Sequence, residues 1–380
     1  MRILIHSVYY LPEVGGMESH IAGLAEGLVA GGHEVRIVTS RSRAGLDSEE
    51  ELRGVRIRRS WMPSRSPAGW AAYALGSVPW TRRWARWAEV VHAQSFASVV
   101  PAGIAARAAG RPWVASFHTS HFLIRARSPL WRPFLGRLVR WPDHALAASM
   151  EIAEVARGLA PGIRVEAITN GVDTDRFSPG PPALPLRNGE RRIVVPRRLF
   201  KKNGVEFLIR AVPKIRARIP QVRVLVVGDG PERPALEALS REVGAAGAVE
   251  FLGARPHGEM PGLLCSGEIA VFPSLMEATS VAALEAMACA RPVVATAVGG
   301  LPEIVDDGVG ILVPPKDPSA LADGVVRLLE DRDLRGKGRR ARERVVALWS
   351  NARLVGRHLE IYEDLVAGRV VMDPGPSVVA

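Results

Sequence analysis

Cysteine is nearly missing from this chain, with only Cys265 and Cys289 among 380 residues. Their spacing matches neither a metal-ligand set nor a disulfide framework, and such sparse use suits a reducing compartment. No run of eighteen apolar residues occurs, so no segment is expected to span a membrane. Residues 1–8 hold a short apolar run broken by His6 and Ser7, so no signal peptide is expected and a cytoplasmic location follows. The Gly-x-Gly-x-x-Gly dinucleotide fingerprint is also lacking. What is present is ordinary for a folded protein: 47% hydrophobic and 23% charged residues, in a length that suits two domains.

Acid is scarce in one long span. Residues 53–140 contain fifteen arginines and a single carboxylate, Glu89, so this span alone carries 15 − 1 = +14, against +11 for the whole chain. Seven of the nine tryptophans fall in the same span. Arginine with interfacial aromatics suits an anionic membrane surface, which would make the protein peripheral on the inner face of the plasma membrane. A solvated basic face accounts for the charge equally simply, and a nucleic acid ranks last.

Residues 272–303 carry the densest chemistry. An apolar strand (269–272) breaks at Pro273-Ser274, and a loop with Glu277 leads into a helix expected over 281–290 that carries Glu285. Ala, Leu, Met and Glu favour that helix, and Arg291-Pro292 stops it. A second apolar strand follows at 293–296. In open α/β sheets ligands sit beyond the carboxyl ends of strands. The first-turn amides of a helix lack internal partners and carry about half a positive charge, which suits phosphate. Ala278, Thr279 and Ser280 are small enough to let a ligand reach the backbone near Val281, and Glu285 and Glu277 are placed to accept from sugar hydroxyls. Spacing alone fits an ordinary surface helix with an N-terminal acid just as well.

The wider block carries more. Glu277 and Glu285 enclose seven residues, flanked by Pro-Ser-Leu-Met-Glu, Leu-Glu-Ala-Met-Ala-Cys, Arg-Pro-Val-Val-Ala and Val-Gly-Gly-Leu-Pro-Glu-Ile-Val. This resembles the Glu-x7-Glu region of the family 4 retaining glycosyltransferases. Near the amino terminus, Tyr-Tyr-Leu-Pro-Glu-Val-Gly-Gly-Met-Glu-Ser-His resembles the same family's first signature, as does Thr-Asn-Gly-Val-Asp-Thr-Asp-Arg-Phe-Ser-Pro over 169–179. The Asp-Thr-Asp within that last run is not read as a metal motif, since a turn explains both aspartates.

The resemblance covers residues 2–365 and implies an α/β protein of GT-B type, with two Rossmann-like domains facing across a cleft. The expected domains are an acceptor-binding one over 1–180 and a donor-binding one over 190–350, joined by the Pro- and Gly-rich 178–191. A terminal helix over 351–366 is expected to cross back onto the first. The implied activity is transfer from a nucleotide-sugar (UDP- or GDP-linked) to a glycan or lipid-linked acceptor, with retained configuration, no metal and no cofactor. By the same resemblance, Glu277 and Glu285 hold donor sugar and ribose. Gly16, with Arg198 and Lys202 from Arg-Arg-Leu-Phe-Lys-Lys-Asn-Gly, faces the diphosphate, and His118 is the active-site histidine. Arg197 competes with Arg198 for its role, and Lys202 stands one place early because Asn203 precedes Gly204. Glu-Ala-Thr-Ser, where the family usually has Glu-Gly-Phe-Gly, departs from the pattern at the donor sugar. A sugar phosphorylase, a nucleotide-sugar 2-epimerase or a catalytically silent binding subunit would share much of this architecture.

Overall fold

The structure is a computed structural model that describes residues 1–13, 15–118, 120–168, 171–185, 189–277 and 280–371. The chain divides into two compact units, Met1–Gly171 with Asn351–Ala380, and Val172–Ser350.

Unit 1 alternates strand and helix from its start: β1 (Arg2–Ser7), α1 (Gly16–Ala30), β2 (Glu34–Arg41), β3 (Glu49–Leu52), β4 (Val55–Trp61), α2 (Pro67–Trp87), β5 (Val90–Gln94) and α3 (Phe96–Ala109). It continues through β6 (Trp113–Phe117), α4 (Ser120–Ala126), α5 (Arg132–Arg140), β7 (His144–Ala147), α6 (Met150–Leu159) and β8 (Val165–Ala167). The sheet order is β3-β4-β2-β1-β5-β6-β7-β8, parallel except for the β3–β4 pair. Near-continuous apolar runs such as Ile3-Leu4-Ile5 are what a sheet covered on both faces requires, and all three are fully buried. Along α1, Ile21, Leu24, Ala25 and Leu28 recur at helical spacing and face the same core.

Two features of this unit are not marked by local hydrophobic pattern. β3 reads Glu-Glu-Glu-Leu, which no hydrophobic pattern marks as a strand. It forms because Glu49, Glu50 and Glu51 each pair with an arginine of β4, namely Arg58, Arg59 and Arg56, across a turn in which Arg53 and Gly54 both take positive φ. The region around Pro79 is a single helix; α2 runs through the proline, started by Ser66, whose side chain accepts from the Gly69 amide.

Unit 2 contains β9 (Arg191–Pro196), a short 3₁₀ turn (Lys201–Asn203), α7 (Val205–Arg218), β10 (Val222–Val227), α8 (Arg233–Glu242), β11 (Val249–Gly253) and α9 (Met260–Cys265). There follow β12 (Ile269–Phe272), α10 (Val281–Ala288), β13 (Val293–Thr296), α11 (Leu301–Ile304), β14 (Gly310–Val313), α12 (Pro318–Leu329) and α13 (Leu334–Trp349). Its six strands are all parallel, in the order β11-β10-β9-β12-β13-β14. The order reverses direction between β9 and β12, which is where an α/β sheet opens a crevice for a ligand.

The units part at Gly171/Val172, nine residues before the expected boundary at 180. Val172 and Phe177 explain the difference, since both are buried in the core of unit 2. The stretch read as a linker continues along that unit: the Ala183 amide donates to the Gly262 carbonyl and the Leu184 amide to Ser266 Oγ. The last helix, α14 (Asn351–Val366), belongs to unit 1, where Leu354, Val355, Ile361 and Tyr362 pack with Ile3, Ile21 and Leu24.

Candidate active site

The crevice position of unit 2 is built by strand ends and by glycines that let loops cross closely. After β9 the chain turns through Arg197 and Arg198. Gly228 (φ 142°) permits this, because a Cβ there would lie 2.1 Å from the Arg197 carbonyl oxygen. Gly299 (φ 54°) does the same for the loop after β12, since a Cβ on it would lie 1.7 Å from the Glu277 carbonyl oxygen. The Lys202 carbonyl accepts from the Leu275 amide at 2.8 Å, tying the 3₁₀ turn to that loop.

These backbone contacts bring Glu277 against Arg197. The buried guanidinium donates through Nη2 to Glu277 Oε2 (2.6 Å), Ser274 Oγ (2.8 Å) and Asn203 Oδ1 (2.8 Å), and Nη1 reaches Ser280 Oγ at 3.5 Å. Asn203 in turn donates to the Arg198 carbonyl at 2.5 Å. Of the two adjacent arginines, Arg197 is therefore the one committed to Glu277. Arg198 is exposed, its guanidinium 5.8 Å from the Phe200 ring centroid, and among the described residues it forms no ion pair. Lys202 also presents its side chain at the surface. Desolvation lowers its pKa, Arg198 and Arg197 add to that effect, and Glu277 opposes it.

Ser280 precedes α10 and is buried, yet its side chain does not cap the helix. Among the described residues no side chain caps the amides that open at Val281. Glu285, in the second turn, is 8% exposed and its Oε1 lies 2.7 Å from His257 Nε2. His257 comes from the loop after β11 and its ring stands 5.1 Å from Phe177. α10 ends at Ala288, two residues short of expectation, because Ala290 (φ 56°) closes it and the Arg291 amide donates to the Ala286 carbonyl. Ala278 and Thr279 lie outside the described residues.

Unit 1 holds the other two predicted positions. Gly16 is exposed and opens α1, one helical turn before His20. The His20 ring stands 4.9 Å from that of His118, which follows β6. His118 is buried, its Nε2 lies 2.7 Å from Gln94 Oε1, and burial lowers its pKa to about 3, so the ring is neutral at physiological pH. A neutral ring that donates through Nε2 keeps Nδ1 as an acceptor, and Nδ1 has no partner among the described residues. His121 is exposed, edge-on to Trp70 at 6.4 Å.

Unit 2 thus gathers Glu277, Arg198, Lys202, Ser280, Val281 and Glu285, and unit 1 gathers Gly16 and His118. Sequence reasoning did not single out His257, Ser274, Asn203 or Gln94. All four follow or end a parallel strand, and that position was the available signal. In the Asn-Gly-Val-Asp turn, Asp173 Oδ1 accepts from the Asp175 and Arg176 amides at 3.2 and 3.0 Å; Thr169 and Asn170 lie outside the described residues. No cluster of three or more His, Cys, Asp or Glu that could hold a metal occurs among the described residues, and no helix there is long and apolar enough to cross a membrane.

Comparison with known proteins is consistent along the chain. The family described as Glycosyltransferase Family 4 matches residues 14–176, and the one described as Glycosyl transferases group 1 matches residues 190–331. A phosphatidylinositol N-acetylglucosaminyltransferase subunit of Arabidopsis thaliana is 31% identical over 87% of this chain and 74% of its own length. Among solved structures, sucrose-phosphate synthase from Thermosynechococcus elongatus superimposes with a TM-score of 0.84 at 24% identity, covering 97% of this chain and 99% of that one. The Anabaena protein HepE, solved with UDP-glucose, gives 0.77 at 21% identity over 96% and 100%. Together these neighbours establish the GT-B fold.

Proposed function

The chain belongs to glycosyltransferase family 4, and from that premise we propose that it moves a sugar from a nucleoside-diphosphate donor to a hydroxyl of a lipid-linked glycan or related lipid acceptor, with retained configuration. The observation that carries this reading is the pair of carboxylates around the start of α10. Glu277 is fixed by Arg197 and Glu285 by His257, with Arg198 and Lys202 as cations on the adjoining turn.

In this reading the α10 amides near Ser280 and Val281 take the diphosphate, with Arg198 and Lys202. Glu285 accepts from the ribose and Glu277 from the donor sugar. The acceptor oxygen attacks the anomeric carbon on the face the diphosphate leaves. The breaking carbon–oxygen bond gives its electron pair to the diphosphate, and the acceptor's proton passes to a diphosphate oxygen. No side-chain base, metal or cofactor is then required. His118, neutral and with Nδ1 as acceptor, takes a sugar hydroxyl. The acceptor class is supported by a relative whose name includes phosphatidylinositol and by the arginine-rich residues 53–140, which suit an anionic membrane surface.

The test is a panel of UDP-, GDP- and ADP-sugars, read by thermal shift and by release of nucleoside diphosphate with and without lipid acceptors. One donor should bind and turn over, with the product anomer matching the donor by NMR and no loss of rate in EDTA. Turnover with inorganic phosphate in place of nucleotide would mark a phosphorylase, and acceptor-free interconversion of the donor an epimerase. Binding without turnover would mark a catalytically silent protein.

A further inference from the structure

The arginine-rich span does not present one uniform face. Five of its seven tryptophans are spent internally. Trp84 is buried, and buried Trp113 stands against Trp141 at 5.5 Å. Arg36 lies 3.8 Å from the Trp87 ring centroid and Arg58 the same distance from Trp80. Trp70 Nε1 donates to the Tyr9 hydroxyl at 2.8 Å. The aromatic residues of α2 are thereby tied into the fold, while its arginines, Arg82, Arg83 and Arg86, are exposed.

The turn joining α4 to α5 is different. Ile124, Leu130, Trp131 and Phe134 are all exposed within eleven residues, Leu130 at 90%. The core does not need them, because these helices already bury Phe122, Leu123, Leu135, Leu138 and Val139. The turn is also held in shape. The Trp131 and Arg132 amides donate to the Ser128 carbonyl (3.0 and 3.1 Å), and Arg132 Nη1 donates to the Ala126 carbonyl at 3.2 Å. Trp131 and Phe134 rings meet edge to face at 5.8 Å, with the Arg125 guanidinium 5.2 Å from Trp131. Around this apolar tip Arg127, Arg132 and Arg137 are exposed, and no acid occurs between Glu89 and Asp143.

We propose that this turn is the element that docks the protein on an anionic lipid surface, with Leu130 and Trp131 entering the headgroup–acyl boundary and Arg127, Arg132 and Arg137 pairing with anionic headgroups. An apolar tip ringed by cations matches a bilayer's layered chemistry. A nucleic acid fits less well, since Leu130 and Ile124 offer a base neither a stacking plane nor a hydrogen bond. The inference narrows the membrane-surface part of the proposed function to one hairpin. Its test reads vesicle binding alone, so it stands or falls separately from transfer activity.

The full chain is sedimented with vesicles of phosphatidylcholine, or of phosphatidylcholine mixed with phosphatidylglycerol, at low and high salt. Retention is expected on the anionic vesicles and should fall with salt. Leu130→Asp with Phe134→Asp should weaken it ~10-fold or more, and Arg127→Glu with Arg137→Glu ~30-fold or more. Melting temperatures should be unchanged, because all four side chains are exposed. Leu75→Asp, on the similarly exposed Leu75 of α2, should leave retention intact. Equal retention on neutral vesicles, no retention on either, or equal losses from Leu75→Asp and the Leu130/Phe134 variant would overturn the proposal. So would vesicle binding by the latter variant at the wild-type level, including the case where it merely converts a dimer to a monomer.

Discussion

Replacing Arg197 with methionine removes the group on which the Glu277 loop converges, and the structure sets the scale of the effect. Three hydrogen bonds of 2.6–2.8 Å are lost from one guanidinium nitrogen. Glu277, with its side chain only 16% exposed, is left charged and unpaired. Breaking a buried ion pair by removing one partner costs about 3–5 kcal/mol; the residual exposure of Glu277 favours the lower end, ~3 kcal/mol. Glu277→Gln should cost less, about 1–2 kcal/mol, since an amide oxygen still accepts from Arg197. The double variant carries no unpaired buried charge, so it should be more stable than the sum of the singles by about 1.5 kcal/mol. For a unit of this size ~3 kcal/mol corresponds to a fall of about 6–12 °C in melting temperature. The assay is urea unfolding of all four proteins, with hydrogen exchange of peptides from β9 and β12 to assign the loss to unit 2. Additivity within about 0.5 kcal/mol, or an Arg197→Met protein as stable as the wild type, would refute the idea that this pair sets the loop.

Three further outcomes are expected. Gly299→Ala places a Cβ 1.7 Å from the Glu277 carbonyl oxygen at φ 54°, so the loop must shift. Turnover should fall ~100-fold while nucleoside diphosphate affinity, read by calorimetry, holds. Glu285→Gln removes a charged acceptor and should weaken nucleotide binding by roughly 10- to 100-fold, with less effect when His257 is replaced by alanine. Burial lowers His118 to a pKa of about 3 and His358 to about 4, from an ordinary 6.5. The unfolded chain therefore binds more protons below pH 6.5, and stability that is complete above that value drains away as pH falls toward 4. For His118 the loss by pH 4 is on the order of 3 kcal/mol, and His118→Asn should flatten the slope of melting temperature against pH.

How much of this was legible beforehand depended on whether a feature was local. β12, the Glu277 loop and α10 could be read from residues 269–290 because apolar runs, helix formers and Pro292 are adjacent in the chain. β3 could not, since a Glu-Glu-Glu run becomes a strand only when Arg56, Arg58 and Arg59 stand opposite it. The boundary at 171 was hidden for a similar reason: Val172 and Phe177 look like part of a Pro-rich exit until the unit 2 core is seen to hold them. The arginine pair is the most instructive case. Arg197 and Arg198 follow β9, where strand alternation no longer applies, and only the crossing of Gly228 and the position of Ser274 and Asn203 decide which one is buried. If Arg197 orders Glu277 while Arg198 stays exposed, the two arginines divide between positioning a carboxylate and meeting a ligand's charge. A lysine at 197 could not reproduce the first role, because its single ammonium lacks the planar fork that serves Glu277 and Ser280 from separate nitrogens.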